Sequence, residues 1–324
     1  MVQEGSDFCP HCGRTMTDAD HITEQEFQAS VAPRHSFLPI VMLICCVMLL
    51  LPAIMGMFMP HPDGPDYGPM DRTVEWDMYD YKDFGPTSEP IHFEITYTVN
   101  EDELKTANGS RLPRDGSWLA EPDAEGHHAV REYAVVGSTV TALAQTLWHT
   151  YSEFVASNPA YNTAPYFADY LLSFVEHAVV YTGDDVQFGK EEYWSYPVET
   201  LYTQKGDCED SSLLLCALYG AMTCLPLAEG CEFAPADYIK GTCCFGMPGH
   251  MMAGVMLSEE VVRTSGDGVF SSVGDGNVYY LCETTGEPQL EKNPTMFVIG
   301  EASRDCSLAS TCFYPGFVNT YLTQ

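Results

Sequence analysis

Apolar positions recur along the chain with two periods, one typical of helices and one typical of strands. Residues 135–156 and 166–181 repeat apolar side chains with the helical period, and a third helix is predicted to begin at Cys208. Alternating or short apolar runs predict strands, which are residues 91–99, 250–257 and 278–284. Helices followed by a mainly antiparallel sheet predict the α+β class.

Residues 37–59 form an uncharged apolar run, FLPIVMLICCVMLLLPAIMGMFM. A helix needs about 20 apolar residues to cross the hydrocarbon core of a bilayer, so the run predicts one transmembrane helix. The apolar part of a cleaved signal peptide is only about 7–15 residues long and follows a short basic region. Here the mixed residues 1–36 come first and no Ala-x-Ala site follows, so we expect a single-pass anchor in the cell membrane.

Charges near the apolar run predict its orientation. Arg34 precedes the run and no Lys or Arg follows it until Arg72, so the positive-inside rule predicts a cytoplasmic N-terminus and an extracytoplasmic C-terminal domain. The residues that follow the run are rich in Pro, Gly and Asp, which is typical of a stalk. The predicted organisation is a tail (1–36), a transmembrane helix (37–59), a stalk (60–90) and one α+β domain (91–324).

The charge balance excludes one class of partner. The chain has 14 Lys+Arg against 46 Asp+Glu, a formal net charge of −32 at pH 7. Such a surface repels polyphosphates, so nucleic acid is not an expected partner. The chain has no Asp/Asn/Gly loop with calcium-ligand spacing, and a solvated acidic surface is the favoured interpretation of the charge.

Candidate chemistry begins at residues 206–210, GDCED, which precede an apolar helical run. Asp207 is a predicted N-cap, and Asp210 has the spacing of a capping box. Cys208 would lie in the first helical turn, where the positive end of the helix dipole favours the nucleophilic thiolate. The neighbouring carboxylates oppose that effect, so activation needs a histidine partner. The alternative is that Cys208 is an ordinary buried cysteine.

His250 is the only histidine that follows Cys208. It opens one predicted strand, and Glu283 lies near the end of the next. If these strands pair antiparallel, the start of one meets the end of the other, and Glu283 can orient the imidazole. The alternative for Glu283 is a solvated carboxylate at a strand end.

Three segments carry a family resemblance in their sequence and their order. They are YPVETLYTQKGDCEDSSLLLCALY (196–219), PGHMMAGV (248–255) and YYLCETTG (279–286). Together they resemble the transglutaminase-like superfamily, most of all its membrane-anchored archaeal and bacterial branch. REYAVV (131–136) and EHAVVYTGD (176–184) are similar to the upstream helices of that branch, so the resemblance covers about residues 91–286.

The resemblance implies a papain-like α+β core with a catalytic triad. Cys208 would be the nucleophile at the start of the central helix, His250 the base and then the acid, and Glu283 the residue that orients the imidazole. Many members have Asp at the third position, so Glu is a small departure. Residues 223–246 are longer than the family's simple strand, which indicates either a disulfide-pinned flap or a decorated loop. The cysteines of this segment are Cys224, Cys231, Cys243 and Cys244.

The implied reaction is acyl transfer on a protein or peptide amide through a thioester on Cys208, with no cofactor required for catalysis. Either water or an amine can accept the acyl group, and hydrolysis is the default because nothing in the sequence identifies an amine site. The alternative is a catalytically silent binding module of the same fold at the cell surface. A third hypothesis is that the N-terminal tail recruits a cytoplasmic partner and the outer domain is a sensor.

The N-terminal tail contains a second motif, FCPHCG at residues 8–13, which has the form of a half zinc ribbon. Cys9 and Cys12 would supply two of the four ligands that a tetrahedral zinc site needs. His21 could supply a third, or a second copy of the chain could complete the site, which predicts self-association. The alternative is a remnant knuckle that holds no metal.

The other cysteines after the apolar run permit disulfides in an oxidising compartment, and Cys306 with Cys312 is the easiest local pair. These cysteines are Cys216, Cys224, Cys231, Cys243, Cys244, Cys282, Cys306 and Cys312.

Overall fold

The computed structural model describes most of the chain after residue 66. The described residues are 67–78, 90–115, 129–227, 233–247, 249–262, 269–274, 276–288, 296–302 and 312–315. Cys9, Cys12 and the predicted span at 37–59 lie outside them, so the zinc knuckle and the membrane anchor stay predictions. None of the helices in the described ranges is long and apolar enough to cross a bilayer.

The described part is a mixed α/β structure in which sheets pack against helices. The helices are α1 (Glu101–Asn108), α2 (Ser138–Ser157), α3 (Ala164–Ala178), α4 (Asp184–Gln187), α5 (Pro197–Thr203), α6 (Cys208–Cys224) and α7 (Pro235–Tyr238), with 3-10 turns at Ala129–Glu132 and Pro159–Tyr161. The strands are β1 (Asp71–Met78), β2 (Ile91–Thr98), β3 (Val180–Tyr181), β4 (Lys205–Gly206), β5 (Ile239–Met247), β6 (His250–Leu257), β7 (Ser271–Gly274), β8 (Asn277–Cys282) and β9 (Cys312–Pro315).

The largest sheet is five-stranded, in the order β7-β8-β6-β5-β9, and every neighbouring pair in it is antiparallel. Helix α6 packs on β5 and β6 and is surrounded on its other sides by α2, α3 and α5. Its residues from Glu209 to Met222 are all buried, as expected for a helix that is apolar around most of its circumference. The central position of α6 places its first turn, with Cys208, at one end of the sheet.

The helical and strand periods predict these central elements well. Strand β6 has the predicted bounds, α6 begins at the predicted residue, and β8 ends two residues before the predicted limit. The helix predicted at 166–181 ends at Ala178, and its last two residues form β3 instead. Strands β6 and β8 pair antiparallel, which is the condition under which the sequence places His250 next to Glu283.

The prediction of a stalk over residues 60–90 is wrong for Asp71–Met78, which form β1. Strand β1 pairs antiparallel with β2, with Trp76 opposite Phe93, and it packs on α3. Val74, Trp76 and Met78 alternate with polar residues and are 4%, 1% and 0% exposed. The flanking Pro, Gly and Asp residues hide this short alternation in the composition of the segment.

Residues 223–246 are neither a pinned flap nor a decorated loop in their described part. They contain the end of α6, the short α7 and most of β5, the strand between β6 and β9. Cys243 and Cys244 are buried on opposite faces of β5. The glycines around this pair weaken the strand signal in the sequence, because glycine is depleted in strands.

The cysteines of the described side chains are thiols, so no disulfide forms among them. They are Cys208, Cys216, Cys224, Cys243, Cys244 and Cys282. The Cys216 and Cys244 sulfur atoms approach to 3.3 Å across the contact between α6 and β5. The easiest predicted pair, Cys306 with Cys312, is outside the described side chains.

Replacing Trp76 by alanine is expected to destabilise the domain by about 3–5 kcal/mol, because a buried aromatic side chain is lost and a cavity is left. The Trp76 ring contacts Phe93 and Phe174 at ring-centroid distances of 5.3 Å for both. Urea unfolding of the full chain measures the change. Glu75→Ala, an exposed position on the same strand, is the control and should change stability by no more than about 0.5 kcal/mol. Equal stability of the two variants would show that β1 is not part of the core.

Candidate active site

Cys208 is the first residue of α6 and is partly buried. Asp207 occupies the N-cap position, but its side chain makes no capping hydrogen bond. The Cys208 thiol donates to the Glu209 carboxylate, with a Sγ–Oε2 distance of 3.3 Å. The position therefore combines the positive end of a helix dipole with two adjacent acidic residues.

The structure brings His250 and Glu283 into direct contact. His250 Nε2 lies 2.9 Å from Glu283 Oε2, and the two side chains are 21% and 0% exposed. The other carboxylate oxygen of Glu283 accepts hydrogen bonds from the backbone N–H and the hydroxyl of Thr285, at 3.2 Å and 2.7 Å. Glu283 is thus a buried, fully bonded carboxylate that holds the imidazole through Nε2. The Nδ1 atom makes no hydrogen bond to the described residues.

Hydrogen bonds connect the start of α6 to the segments that carry His250 and Glu283. The hydroxyls of Ser211 and Thr284 lie 2.8 Å apart, and Ser212 donates to the carbonyl of Met251 at 3.3 Å. The backbone of Met251, the neighbour of His250, also lies within reach of the Cys208 thiol. No hydrogen bond joins Cys208 to His250 in the described ranges. The three predicted residues therefore converge on one end of the sheet, with His250 bound to Glu283 and Cys208 beside the next residue of β6.

Burial and neighbouring groups together raise the pKa of Cys208 but lower that of Glu283. Burial raises the pKa of the Cys208 thiol well above its ordinary value, and the charges of Glu209 and Asp207 raise it further. Burial also raises the pKa of Glu283, but its bonds to His250 and Thr285 outweigh burial and leave that pKa below its ordinary value. Glu283 is accordingly an ionised orienting group, whereas the thiol at rest is held as a neutral donor.

A group of carboxylates beside Cys208, which we call the acidic cluster, is a feature that the motifs did not predict. Its members are Asp184, Glu192, Asp207, Glu209 and Asp210. Oxygens of Asp184, Asp207 and Asp210 lie within 4.8 Å of one another, and so do those of Asp184, Glu192 and Glu209. The parallel pairing of β3 with β4, in which Tyr181 lies opposite Gly206, brings α4 next to the start of α6.

Backbone donors from one loop fix two members of the acidic cluster. Asp210 Oδ1 accepts from the Ser195 N–H at 2.7 Å, and Asp184 Oδ2 accepts from the Tyr193 N–H. The predicted capping box is therefore wrong for Asp210, whose side chain binds this loop rather than its own helix end. Arg114 holds the same loop, since its guanidinium bonds both oxygens of Glu199 and the Trp194 carbonyl.

Three carboxyl groups of the acidic cluster, those of Asp184, Glu209 and Asp210, have pKa values above their ordinary range. Burial raises the pKa of Asp184 to about 6, with a further contribution from Asp207. Burial also raises the pKa of Glu209 and that of Asp210. These shifts have a common cause, since the groups are desolvated and face like charges instead of counter-charges.

No protein-family model matches the chain, and no curated protein is significantly similar to it. The geometry itself therefore has to carry any functional conclusion. A thiol at a helix start, an oriented imidazole and a buried carboxylate are the groups that nucleophilic acyl transfer uses.

Replacing Glu283 by glutamine is expected to destabilise the chain by about 1–3 kcal/mol at pH 7, because a buried charged hydrogen bond is lost. The lowered pKa of Glu283 fixes the sign of the pH dependence. Its contribution is complete above the unfolded-state pKa of about 4.3 and is lost as the pH falls through the folded-state value. The difference between wild type and Glu283→Gln should therefore shrink below about pH 4.

Urea unfolding between pH 7 and pH 3 measures this difference. Glu94→Gln, an exposed position on β2, is the control and should follow the wild type at every pH. A Glu283→Gln deficit that stays constant down to pH 3 would contradict an ionised Glu283.

Proposed function

We propose that this chain is a thiol enzyme that transfers acyl groups from protein or peptide amides through a thioester on Cys208. The observation that carries the proposal is the convergence of Cys208 at the start of α6 with the contact of 2.9 Å between His250 and the buried Glu283. The resemblance of the three motifs to the transglutaminase-like superfamily supports the same conclusion. We propose, with it, that the helices and sheet form a papain-like core.

The geometry supports a specific role for Glu283, His250 and Cys208 in that reaction. Glu283 holds the Nε2–H of His250, so Nδ1 is the nitrogen left to accept the Cys208 proton. The thiolate then attacks the amide carbonyl, and the backbone N–H of Cys208 is a donor for the oxyanion. The imidazolium returns its proton to the leaving amine as the C–N bond breaks, which leaves the thioester. Water then releases a carboxylic acid, or a second amine forms a new amide.

Hydrolysis is the favoured second step, since no described residue forms a recognisable amine site. The proposed cellular setting is a membrane tether at residues 37–59, with a cytoplasmic N-terminus and the domain outside the membrane. Those residues lie outside the described ranges, so the setting depends on the sequence pattern alone.

One observation favours a second candidate function, a catalytically silent binding module at the cell surface. The Cys208 thiol donates to Glu209, and the surrounding carboxylates and burial oppose the thiolate. A cysteine held in this state permanently would not react, and the domain would then act only by binding.

Alkylation of Cys208 separates the two functions. The full chain is treated with iodoacetamide at pH 7.5, and mass spectrometry follows each cysteine over time. If His250 accepts the thiol proton, Cys208 should react at least about tenfold more slowly in His250→Ala, since general bases contribute about 100-fold or more to such steps. His149→Ala, which removes an exposed histidine paired with Glu153, is the matched control.

The exposed Cys224 thiol is the internal reference, because its alkylation rate should be the same in all three proteins. Rapid Cys208 labelling that only the His250 change slows supports the enzyme. If Cys208 is labelled no faster in wild type than in His250→Ala, the result contradicts the enzyme proposal and favours the binding module.

A further inference from the structure

Two buried cysteines face each other across the contact between α6 and β5. Cys216 is 0% exposed and Cys244 is 2% exposed. Their Sγ atoms lie 3.3 Å apart, which is closer than two nonbonded carbon atoms usually approach, about 3.5–4.0 Å, although sulfur is the larger atom. The Cys216 thiol also donates to the backbone carbonyl of Cys243 at 3.0 Å. The pair therefore spans the packed interface between the central helix and the five-stranded sheet.

The neighbouring buried thiols have different surroundings. Cys243 is adjacent to Cys244 in sequence, but successive side chains of a strand point to opposite faces, and the two are buried in different clusters. Cys282 lies beside Tyr219, with 3.7 Å between its Sγ atom and the tyrosine hydroxyl oxygen. The sulfur–sulfur contact thus pairs Cys216 with Cys244.

We propose that Cys216 and Cys244 are the site of a disulfide bond that joins α6 to β5 when a small disulfide oxidises the chain. An S–S bond is about 2.05 Å long. From 3.3 Å, the two sulfur atoms have to approach each other by about 1.2 Å. Small rotations of the two side chains about their Cα–Cβ bonds move the sulfur atoms by distances of this order.

The oxidation is a thiol–disulfide exchange in two steps. A thiolate of the pair attacks one sulfur of a small disulfide such as oxidised glutathione, and a mixed disulfide forms as one glutathione thiolate leaves. The second cysteine attacks the mixed disulfide, which forms the bond between Cys216 and Cys244 and releases the second glutathione. The two cysteine protons go to the released thiolates, so two protein thiols are oxidised and one small disulfide is reduced. Because both cysteines are buried, the exchange takes place during folding or local opening of the chain.

The bond connects two elements on which the candidate site depends. Helix α6 begins at Cys208, and β5 pairs along its length with β6, which begins at His250. The two bonded cysteines are 28 residues apart in the chain, and a cross-link that closes a loop of this size stabilises a fold mainly by restricting the unfolded chain. The expected consequence of oxidation is a more stable domain.

Redox titration of the full chain tests the pair. The reduced chain is equilibrated with glutathione buffers in urea just below its unfolding transition, so that local opening gives the oxidant access to the buried thiols. Free thiols are then alkylated, and the peptides are mapped by mass spectrometry without reduction. At a roughly tenfold excess of reduced over oxidised glutathione, most of the chain should carry the link between Cys216 and Cys244, since structural disulfides resist reduction by glutathione.

Thermal unfolding after removal of urea and glutathione measures the effect of the bond. The linked chain should melt at least roughly 5 °C above the reduced chain. Cys244→Ala should lose this difference, whereas Cys282→Ala, the matched control that removes another buried thiol, should keep it. The comparison of oxidised with reduced protein within each variant cancels the loss of packing that alanine causes.

Three results would overturn the proposal. They are that Cys216 and Cys244 remain thiols at every glutathione ratio, that either of them is linked to a different cysteine, or that the linked chain melts no higher than the reduced chain. None of these measurements uses acyl transfer, so they stand whatever the alkylation of Cys208 gives.

Discussion

The antiparallel register between β6 and β8 positions the candidate site, because it sets which strand ends lie side by side. Ala253 pairs with Cys282, so the end of β8, which Glu283 follows directly, lies beside the first residues of β6, which His250 opens. The contact of 2.9 Å between His250 Nε2 and Glu283 Oε2 forms across these two strand ends. A slip of the register would move Glu283 along β6 and break the contact. The bonds of Ser211 and Ser212 to the same strand ends give the start of α6 a fixed position against this pair.

The acidic residues next to Cys208 affect the pKa of its thiol more strongly than the helix dipole does. A helix N-terminus contributes about 0.3–1 kcal/mol in favour of an anion at an exposed site. A nearby charge shifts a pKa by about one to three units, and each unit corresponds to about 1.4 kcal/mol. Two adjacent carboxylates and burial therefore outweigh the dipole, in agreement with the raised pKa of the thiol. Activation of Cys208 thus requires a proton acceptor such as His250.

Local sequence signals predict the elements that carry Cys208, His250 and Glu283, because each of these residues stands at the edge of a strongly apolar run. The β6–β8 pairing could be considered because the two strands are consecutive among the predicted elements, and neighbouring strands usually pair. The sequence did not indicate β7, which lies between them in the chain. The acidic cluster cannot be predicted in this way. Asp184 is distant in sequence from residues 207–210, and the β3–β4 contact that joins them consists of two residue pairs without a periodic pattern. Strand β1 is missed for a different reason. Its apolar and polar residues alternate, but the Pro, Gly and Asp residues on both sides of it indicate a stalk.

Composition explains why a buried cluster of carboxylates lacks basic partners. With 14 Lys+Arg against 46 Asp+Glu, most carboxylates in this chain cannot have a basic side chain of their own. On the surface water satisfies them, but in the interior an uncompensated charge costs several kcal/mol. The buried Glu199 has Arg114, with side-chain exposures of 7% and 11%, and Glu283 has His250. Asp184 and Asp210 have backbone donors but no basic side chain within the described ranges, so burial is not offset by a counter-charge and the pKa values of both groups are raised. The scarcity of basic side chains thus explains why Glu199 and Glu283 are buried as paired carboxylates and these two aspartates are not.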